Sequence, residues 1–386
     1  MTWLEHYFKG DRTIWLIVIL LSILSILAVY SSTGTLAYKY QSGNTEYYLF
    51  KHGIILLFGF VLMYIGHIIK YTYYARFSKI GIMVAIPLLL FTLLMGSNIN
   101  EASRWLTLPI INLSFQTSDL AKVALILYVA RMLSKKQDNI KDFKQAFLPI
   151  LLPVIIVCGL ILPANFSTAA VLFATCLVIM FIGRINVKYI FGLIGIAVVM
   201  FGLFIGIAYL TGYQGRIKTW QARIENFKEG DPEGNYQVDQ AKIAIATGSL
   251  LGKGPGNSSQ RNFLPHPYSD FIFAIIIEEY GMVGGVLVLF LYLLLFYRAI
   301  QIVKRTERAF AALITIGCAF SLVFQALINM AVAVNLFPVT GQPLPMLSMG
   351  GTSIWFTSLA LGIILSVSSE TEKVIAEEEG GEVVAA

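Results

Sequence analysis

Ten stretches of roughly twenty mostly apolar residues follow one another along this chain, separated mainly by short polar connections. A helix needs about 20 such residues to cross a bilayer. Only helices and closed barrels can cross, because every backbone polar group inside lipid must find an internal partner. The runs fall at 13–31, 51–69, 78–96, 117–134, 146–163, 167–183, 188–211, 271–297, 309–335 and 350–368. They predict an all-α polytopic membrane protein with about ten transmembrane helices; nine or eleven also fit. The fifth and sixth runs are short and meet at Pro163-Ala164-Asn165, so they read as a helical hairpin or a re-entrant pair. Composition excludes the soluble alternative. Of 386 residues, 57% are apolar and 13% charged, against about 25% charged in soluble domains.

Orientation follows from the distribution of Lys and Arg. Counting connections alternately from the N-terminus, one set holds most of the basic residues, including Lys135, Lys136, Lys141 and Lys144. The short connections of the other set hold only Lys39, Lys51 and Arg104. Both termini are therefore expected in the cytoplasm. The net charge of +6 is spread over many loops, which suits membrane orientation and not a nucleic-acid groove. The acidic tail, 370–386, reads as disordered and leaves 1–369 as one transmembrane domain. The first run is too long for a signal-peptide core and lacks a small-residue cleavage site, so it is expected to remain as a span. Cys158, Cys176 and Cys318 lie inside apolar runs and read as small packing residues. No CxxC or Cys/His spacing suggests a metal.

One connection stands apart. The loop at 212–269, between the seventh and eighth spans, is extracytoplasmic on this topology and long for a chain of short loops. Long ordered loops are usually functional. Its middle, 223–240, looks amphipathic and helical, and Gly248, Gly252, Gly254, Pro255 and Gly256 crowd its second half. No internal repeat of the transporter kind is visible.

Ionisable residues within spans are costly and are usually functional. Asp119 and Lys122 share one helical face three residues apart, either as a structural ion pair or as the polar wall of a substrate cavity. Glu278 and Glu279 lie about two turns into the eighth span, and Gln325 and Asn329 in the ninth read as interhelical hydrogen-bonding residues. Asp270 closes the long loop at the outer membrane boundary, where a helix cap is the alternative to a chemical role. Pro338-Val339-Thr340-Gly341-Gln342-Pro343-Leu344-Pro345 is too rich in proline for a helix, so it must line a cavity or pack within protein. Ser348-Met349-Gly350-Gly351-Thr352-Ser353 then opens the last helix with backbone N–H groups that could hold an anion such as a phosphate.

These segments, in this order, resemble the SEDS (shape, elongation, division and sporulation) proteins over nearly the whole chain. The resemblance rests on Arg104-Trp105, Phe115-Gln116-Thr117-Ser118-Asp119-Leu120-Ala121-Lys122, Arg216 with Arg223, and Tyr236-Gln237 with Gln240 and Ala244. It continues through the glycines of 248–256 around Lys253, Leu264-Pro265, Ser269-Asp270-Phe271-Ile272-Phe273-Ala274, Glu278-Glu279 with Gly281, and the two segments after the ninth span. Three motifs depart from the family pattern. Gln-Pro-Ser-Glu has become Gln116-Thr117-Ser118-Asp119. An acid of Pro-Asp-Leu-Gly-Thr has become Asn165. Leu-Pro-Glu-x-His-Thr-Asp-Phe reads Leu264-Pro265-His266-Pro267-Tyr268-Ser269-Asp270-Phe271, losing the glutamate and keeping Asp270.

The resemblance implies a peptidoglycan glycosyltransferase that polymerises the lipid-linked disaccharide-peptide lipid II into β-1,4 glycan at the outer face of the bacterial cytoplasmic membrane. It implies Asp270 as catalytic base. Substrate contacts would come from Arg104, Trp105, Gln116, Asp119, Lys122, Arg216, Gln237, Gln240, Lys253, Ser348, Gly350, Gly351, Thr352 and Ser353. It implies no tightly bound cofactor, although a divalent cation, Mg or Mn, could bridge the diphosphate. The partners it implies are the undecaprenyl-linked glycan strand, membrane lipid, an FtsI-type class B penicillin-binding protein and other divisome proteins, with no nucleic acid. The end of the last span favours the division branch and the septum, whereas Gly351-Thr352-Ser353 also resembles the rod-shape branch. A lipid II flippase and an inactive scaffold remain the rival classes.

Overall fold

A computed structural model describes residues 8–95, 97–99, 102–108, 113–210, 220–223, 225–227 and 236–385. Its first helix, α1 (Arg12–Ser32), starts where the Asp11 carboxylate accepts the Thr13 and Ile14 amides at 2.8 and 3.1 Å. There follow α2 (Gly34–Tyr40), α3 (Thr45–Ile68), capped by Asn44, and α4 (Tyr71–Met95). The next connection is an antiparallel sheet, β1 (Ser97–Ile99), β2 (Ala102–Leu108) and β3 (Leu113–Gln116), in spatial order. Its register sets Trp105 opposite Gln116.

The bundle continues with α5 (Thr117–Lys135), a π turn at Phe143–Phe147, α6 (Leu148–Ile161), α7 (Phe166–Ile182) and α8 (Val187–Leu210). The fifth and sixth runs form the hairpin α6–α7. Asn165, where the family pattern has an acid, accepts the Thr168 amide at 3.3 Å and starts α7. Then come α9 (Tyr236–Gly248), α10 (Ile272–Arg305), α11 (Ala309–Ala333) and α12 (Thr352–Ala385). Among the described residues eight helices are long and apolar enough to cross a membrane. The apolar α7 is 17 residues long, and α5 is 19 but carries Asp119, Lys122 and Arg131. Together they account for the ten expected spans. The central element is α11, packed against α5, α7, α10 and α12.

One expectation needs correction, and one span is interrupted. The segment 370–385 is helical and not disordered, because α12 continues through Glu, Lys, Val and Ala, which mostly sustain a helix, helped by a Glu370–Lys373 pair at 2.9 Å. The eighth span is not one regular helix. It breaks at Gly281, whose φ is +71°. The glycine-rich loop mends the break. Lys253 and Gly254 donate their amides to the carbonyls of Glu278 and Glu279, both at 2.9 Å, and Met282 and Val283 donate to Ser249 and Leu250 at 2.9 and 3.3 Å. The backbone groups freed at the break thus find partners inside the bundle, as lipid requires. A Cβ on Gly281 would lie 2.1 Å from the Leu250 carbonyl oxygen, and one on Gly252 would lie 2.2 Å from that of Glu279.

Candidate functional site

Asp270 sits in the last turn before α10, and the three residues 268–270 each have their carbonyl captured from another element. Met349 N–H donates to Tyr268 O at 2.9 Å, Ser348 Oγ to Ser269 O at 2.6 Å, and Asn329 Nδ2 to Asp270 O at 2.9 Å. The Asp270 carboxylate takes one hydrogen bond, from Ser269 Oγ to Oδ1 at 2.9 Å. Its Oδ2 faces the bare Cα of Gly341, where an added Cβ would stand 3.6 Å away. Oδ2 has no donor among the described residues.

The proline-rich segment forms the other wall. It is non-helical, and side chains from other elements hold its carbonyls. Arg223 donates to Val339 O at 3.0 Å, Asn329 to Gln342 O at 2.8 Å and Gln325 to Pro343 O at 2.9 Å. Tyr292 donates to Pro345 O, and Ser25, itself bonded to the buried His52, donates to Leu347 O at 2.8 Å. Gln342 also donates its side-chain N–H to Thr168 Oγ1. The expectation that this segment packs within protein is met.

An apolar groove of about 940 Å³ runs between α7, α8, α10 and α11 up to this wall. Phe166, Phe201, Phe273, Leu289 and Phe324 line its length, and Trp220, Arg223, Val339 and Thr340 its polar end. Trp220 packs on Phe166 and Phe201, with ring centroids 5.4 and 6.2 Å apart, so the short helical stretch 220–223 straps the groove. Burial lowers the Arg223 guanidinium from its ordinary value, and the Asp270 carboxylate opposes that shift. The Tyr268 hydroxyl is raised, chiefly by burial, with Tyr48, Tyr40 and Asp270 adding to it. Tyr268 also bonds His266 Nδ1 at 3.1 Å.

The remaining candidates separate into groups. Asp119 and Lys122 pair at 2.8 Å, nearly buried, and Lys122 reaches Gln325 Oε1 at 3.3 Å, one step from Pro343. Gln116 bonds Ser118 through its side chain, and its amide meets Thr352 Oγ1 at 3.3 Å, which joins α5 to the start of α12. Gln237 and Gln240 lie one turn before Ala241 and Ala244, on the α9 face packed against Leu264 and Phe271. The structure does not bring Lys253 to Asp270. Its ammonium pairs with Glu278 at 2.6 Å, about 12 Å further along the helix at 1.5 Å per residue. There Glu278 also accepts from Ser258, Ser259 and Gln260 and anchors the loop. Ser348 spends its hydroxyl on Ser269 O while accepting the Leu344 amide at 2.8 Å.

The anion-binding terminus is partly occupied. The amides of Gly350, Ser353 and Ile354 bond the carbonyls of Ser348, Gly350 and Gly351. The Arg104 and Trp105 side chains and all of Arg216 lie outside the described residues. Among those described, no group of three His, Cys, Asp or Glu residues converges as a metal site. The sequence alone marks Arg223 only as a companion of Arg216, and marks Asn329 as a helix–helix contact. An amide near the end of a span, facing a proline-rich connection, is the signal that points to more.

Fold and site together define a polytopic helical membrane protein whose apolar groove ends beside a carboxylate. The family described as Cell cycle protein (FTSW_RODA_SPOVE) matches residues 11–373, and the chain belongs to that family. A probable peptidoglycan glycosyltransferase FtsW of Trichlorobacter lovleyi is 32% identical, over 93% of each chain. Stage V sporulation protein E of Bacillus subtilis is 31% identical, over 93% of this chain and 96% of its own. Among solved structures, a peptidoglycan synthase complex described as coordinating polymerization and crosslinking contains a chain that superposes with a TM-score of 0.72. It is 24% identical, over 94% of this chain and 98% of that one. The rod shape determining protein RodA of Thermus thermophilus gives 0.67 at 22% identity, over 95% and 99%.

Proposed function

We propose that this protein is a peptidoglycan glycosyltransferase that polymerises lipid II at the outer face of the cytoplasmic membrane, with both termini in the cytoplasm. One observation carries the reading. An apolar groove, a half-buried arginine and a carboxylate whose Oδ2 has no donor among the described residues follow one another in the order of an isoprenoid tail, a diphosphate and a sugar. Arg223 would meet the diphosphate through charge-assisted hydrogen bonds, with Arg104, Arg216, Lys122 and the Gly351 and Thr352 amides as further candidates. Asp270 Oδ2 would accept the proton of the acceptor sugar's 4-hydroxyl as that oxygen attacks the anomeric carbon of the donor. The donor's C–O bond to diphosphate breaks, the lipid diphosphate leaves, and direct displacement turns an α-linked donor into a β-1,4 linkage. A positioned base of this kind contributes about 10²–10⁴-fold.

Reconstitution in liposomes with labelled lipid II tests the reading. Glycan polymer supports it; label transferred to the far leaflet without polymer would identify a flippase instead. The family's description as Cell cycle protein supports the septum as the site of action. Depletion should give filaments, and round cells would reassign the protein to elongation. A class B penicillin-binding protein is the proposed partner, docked on the exposed α10 side chains Leu287, Phe290 and Leu293. Co-purification should be lost when these are made charged, and retained binding would move the dock elsewhere.

A further inference from the structure

We infer that Asn329 and Ser348 are positioning residues whose shared task is to hold the 268–270 backbone so that Asp270 Oδ2 faces the acceptor hydroxyl. The inference rests on the glycosyltransferase reading for its kinetic consequence, though not for its geometry. The Asn329 side-chain amide has two hydrogens, and both are committed: one to Asp270 O at 2.9 Å, the other to Gln342 O at 2.8 Å. These two carbonyls belong to opposite walls of the site, the start of α10 and the proline-rich segment. One amide therefore sets their separation, and with it the gap between Asp270 Oδ2 and Gly341.

Ser348 works one residue earlier. Its hydroxyl donates to Ser269 O at 2.6 Å and accepts the Leu344 amide at 2.8 Å, so it too ties α10 to the segment leading into α12. Met349 N–H completes the series on Tyr268 O. Three consecutive carbonyls are held by three separate donors in an irregular stretch where no ladder would hold them. The carboxylate needs such support, because among the described residues only the neighbouring Ser269 hydroxyl bonds it directly.

Asn329 bears a cost for this arrangement. It is 1% exposed, and its Oδ1 finds no protein partner among the described residues. A buried acceptor without a partner destabilises the fold, since it gave up its hydrogen bond to water. A helix–helix contact alone would be served better by an apolar residue. An amide that leaves its own oxygen unmatched to place both hydrogens is used for its donors.

The test compares Asn329→Leu, Ser348→Ala and Ser348→Thr, as full-length protein in nanodiscs, by lipid II polymerisation and by amide hydrogen exchange. The leucine of N329L keeps the branching of the side chain and loses both donors; the threonine of S348T keeps the hydroxyl that S348A removes. We expect N329L and S348A to lower kcat by about 10- to 100-fold with KM within about twofold, the loss of one or two hydrogen bonds acting on orientation. S348T should stay within a few-fold of wild type. Exchange should quicken in 268–272 and stay unchanged in the rest of α10. Unchanged kcat, a loss expressed in KM, or faster exchange throughout the bundle would each overturn the assignment. Should the wild type make no polymer, the glycosyltransferase reading fails by itself, and the exchange pattern alone then decides whether the clamp exists.

Discussion

Replacing Lys122 by Met should remove both stability and polymerisation, and the two losses can be separated. The Lys122 ammonium lies 2.8 Å from Asp119 Oδ1, with the side chains 13% and 2% exposed. At an effective dielectric near 20, Coulomb's law gives such a pair about 6 kcal/mol. Desolvation of both groups offsets much of that when the pair forms, but removing one partner strands the other. Asp119 is poorly placed to be stranded, because its Oδ2 already lacks a partner among the described residues. Breaking a buried pair in this way costs about 3–5 kcal/mol, a large share of a typical stability of about 5–15 kcal/mol. The Tm in detergent should fall by on the order of 10 °C. Lys122→Met with Asp119→Asn removes the stranded charge and should regain most of the lost Tm. It should nevertheless stay inactive, because Lys122 also holds Gln325, which holds Pro343. Recovery of polymerisation together with Tm in the double variant would refute this reasoning and leave the pair purely structural.

Three other outcomes are expected. Gly281→Ala places a Cβ 2.1 Å from the Leu250 carbonyl oxygen and adds about 1–3 kcal/mol of strain in a positive-φ, extended-ψ conformation that essentially only glycine adopts, so thermal melts should show a large fall in Tm; an unchanged Tm would contradict the splice between loop and helix. Arg223→Ala removes a charge-assisted bond worth about 1.5–3 kcal/mol, so lipid II binding in nanodiscs should weaken by about 10- to 100-fold, and an unaltered Kd would take the diphosphate away from Arg223. In a cysteine-free background, externally added maleimide should label Lys228→Cys and not Lys141→Cys; the reverse pattern would invert the topology.

The spans are legible in the sequence because lipid imposes a length and a composition that the residues cannot disguise, and all ten expected runs are helices. The paired strands at 102–108 and 113–116 are not, since two short alternating segments carry little periodic information beside ten long ones. The break at Gly281 is hidden for a different reason. Its hydrogen-bond partners lie about thirty residues away in the chain, so only the tertiary structure explains why Gly248, Gly252 and Gly281 occur together. At the site, the carboxylate stands out by chemistry and place, whereas its support does not. Asn329 looks like any polar residue in a span until the two carbonyls it joins are seen. Lys253 misleads in the opposite sense, because a basic residue in a glycine-rich loop suggests an anion site, and here the anion is Glu278. The acidic tail suggests disorder by charge alone, although the good helix formers among Glu, Ala and Lys allow α12 to run on.

The direct test of Asp270 as the base is purified Asp270→Asn protein in liposomes, assayed for lipid II binding and for glycan polymer in the same preparation. Asn keeps the size of the side chain and leaves the carbonyl clamp on residues 268–270 intact, yet it cannot accept the hydroxyl proton. Binding should stay within a few-fold of wild type while polymerisation falls by about 10²–10⁴-fold. Polymer made at a rate within about tenfold of wild type would contradict the assignment and move the search to Glu233 and Asp239.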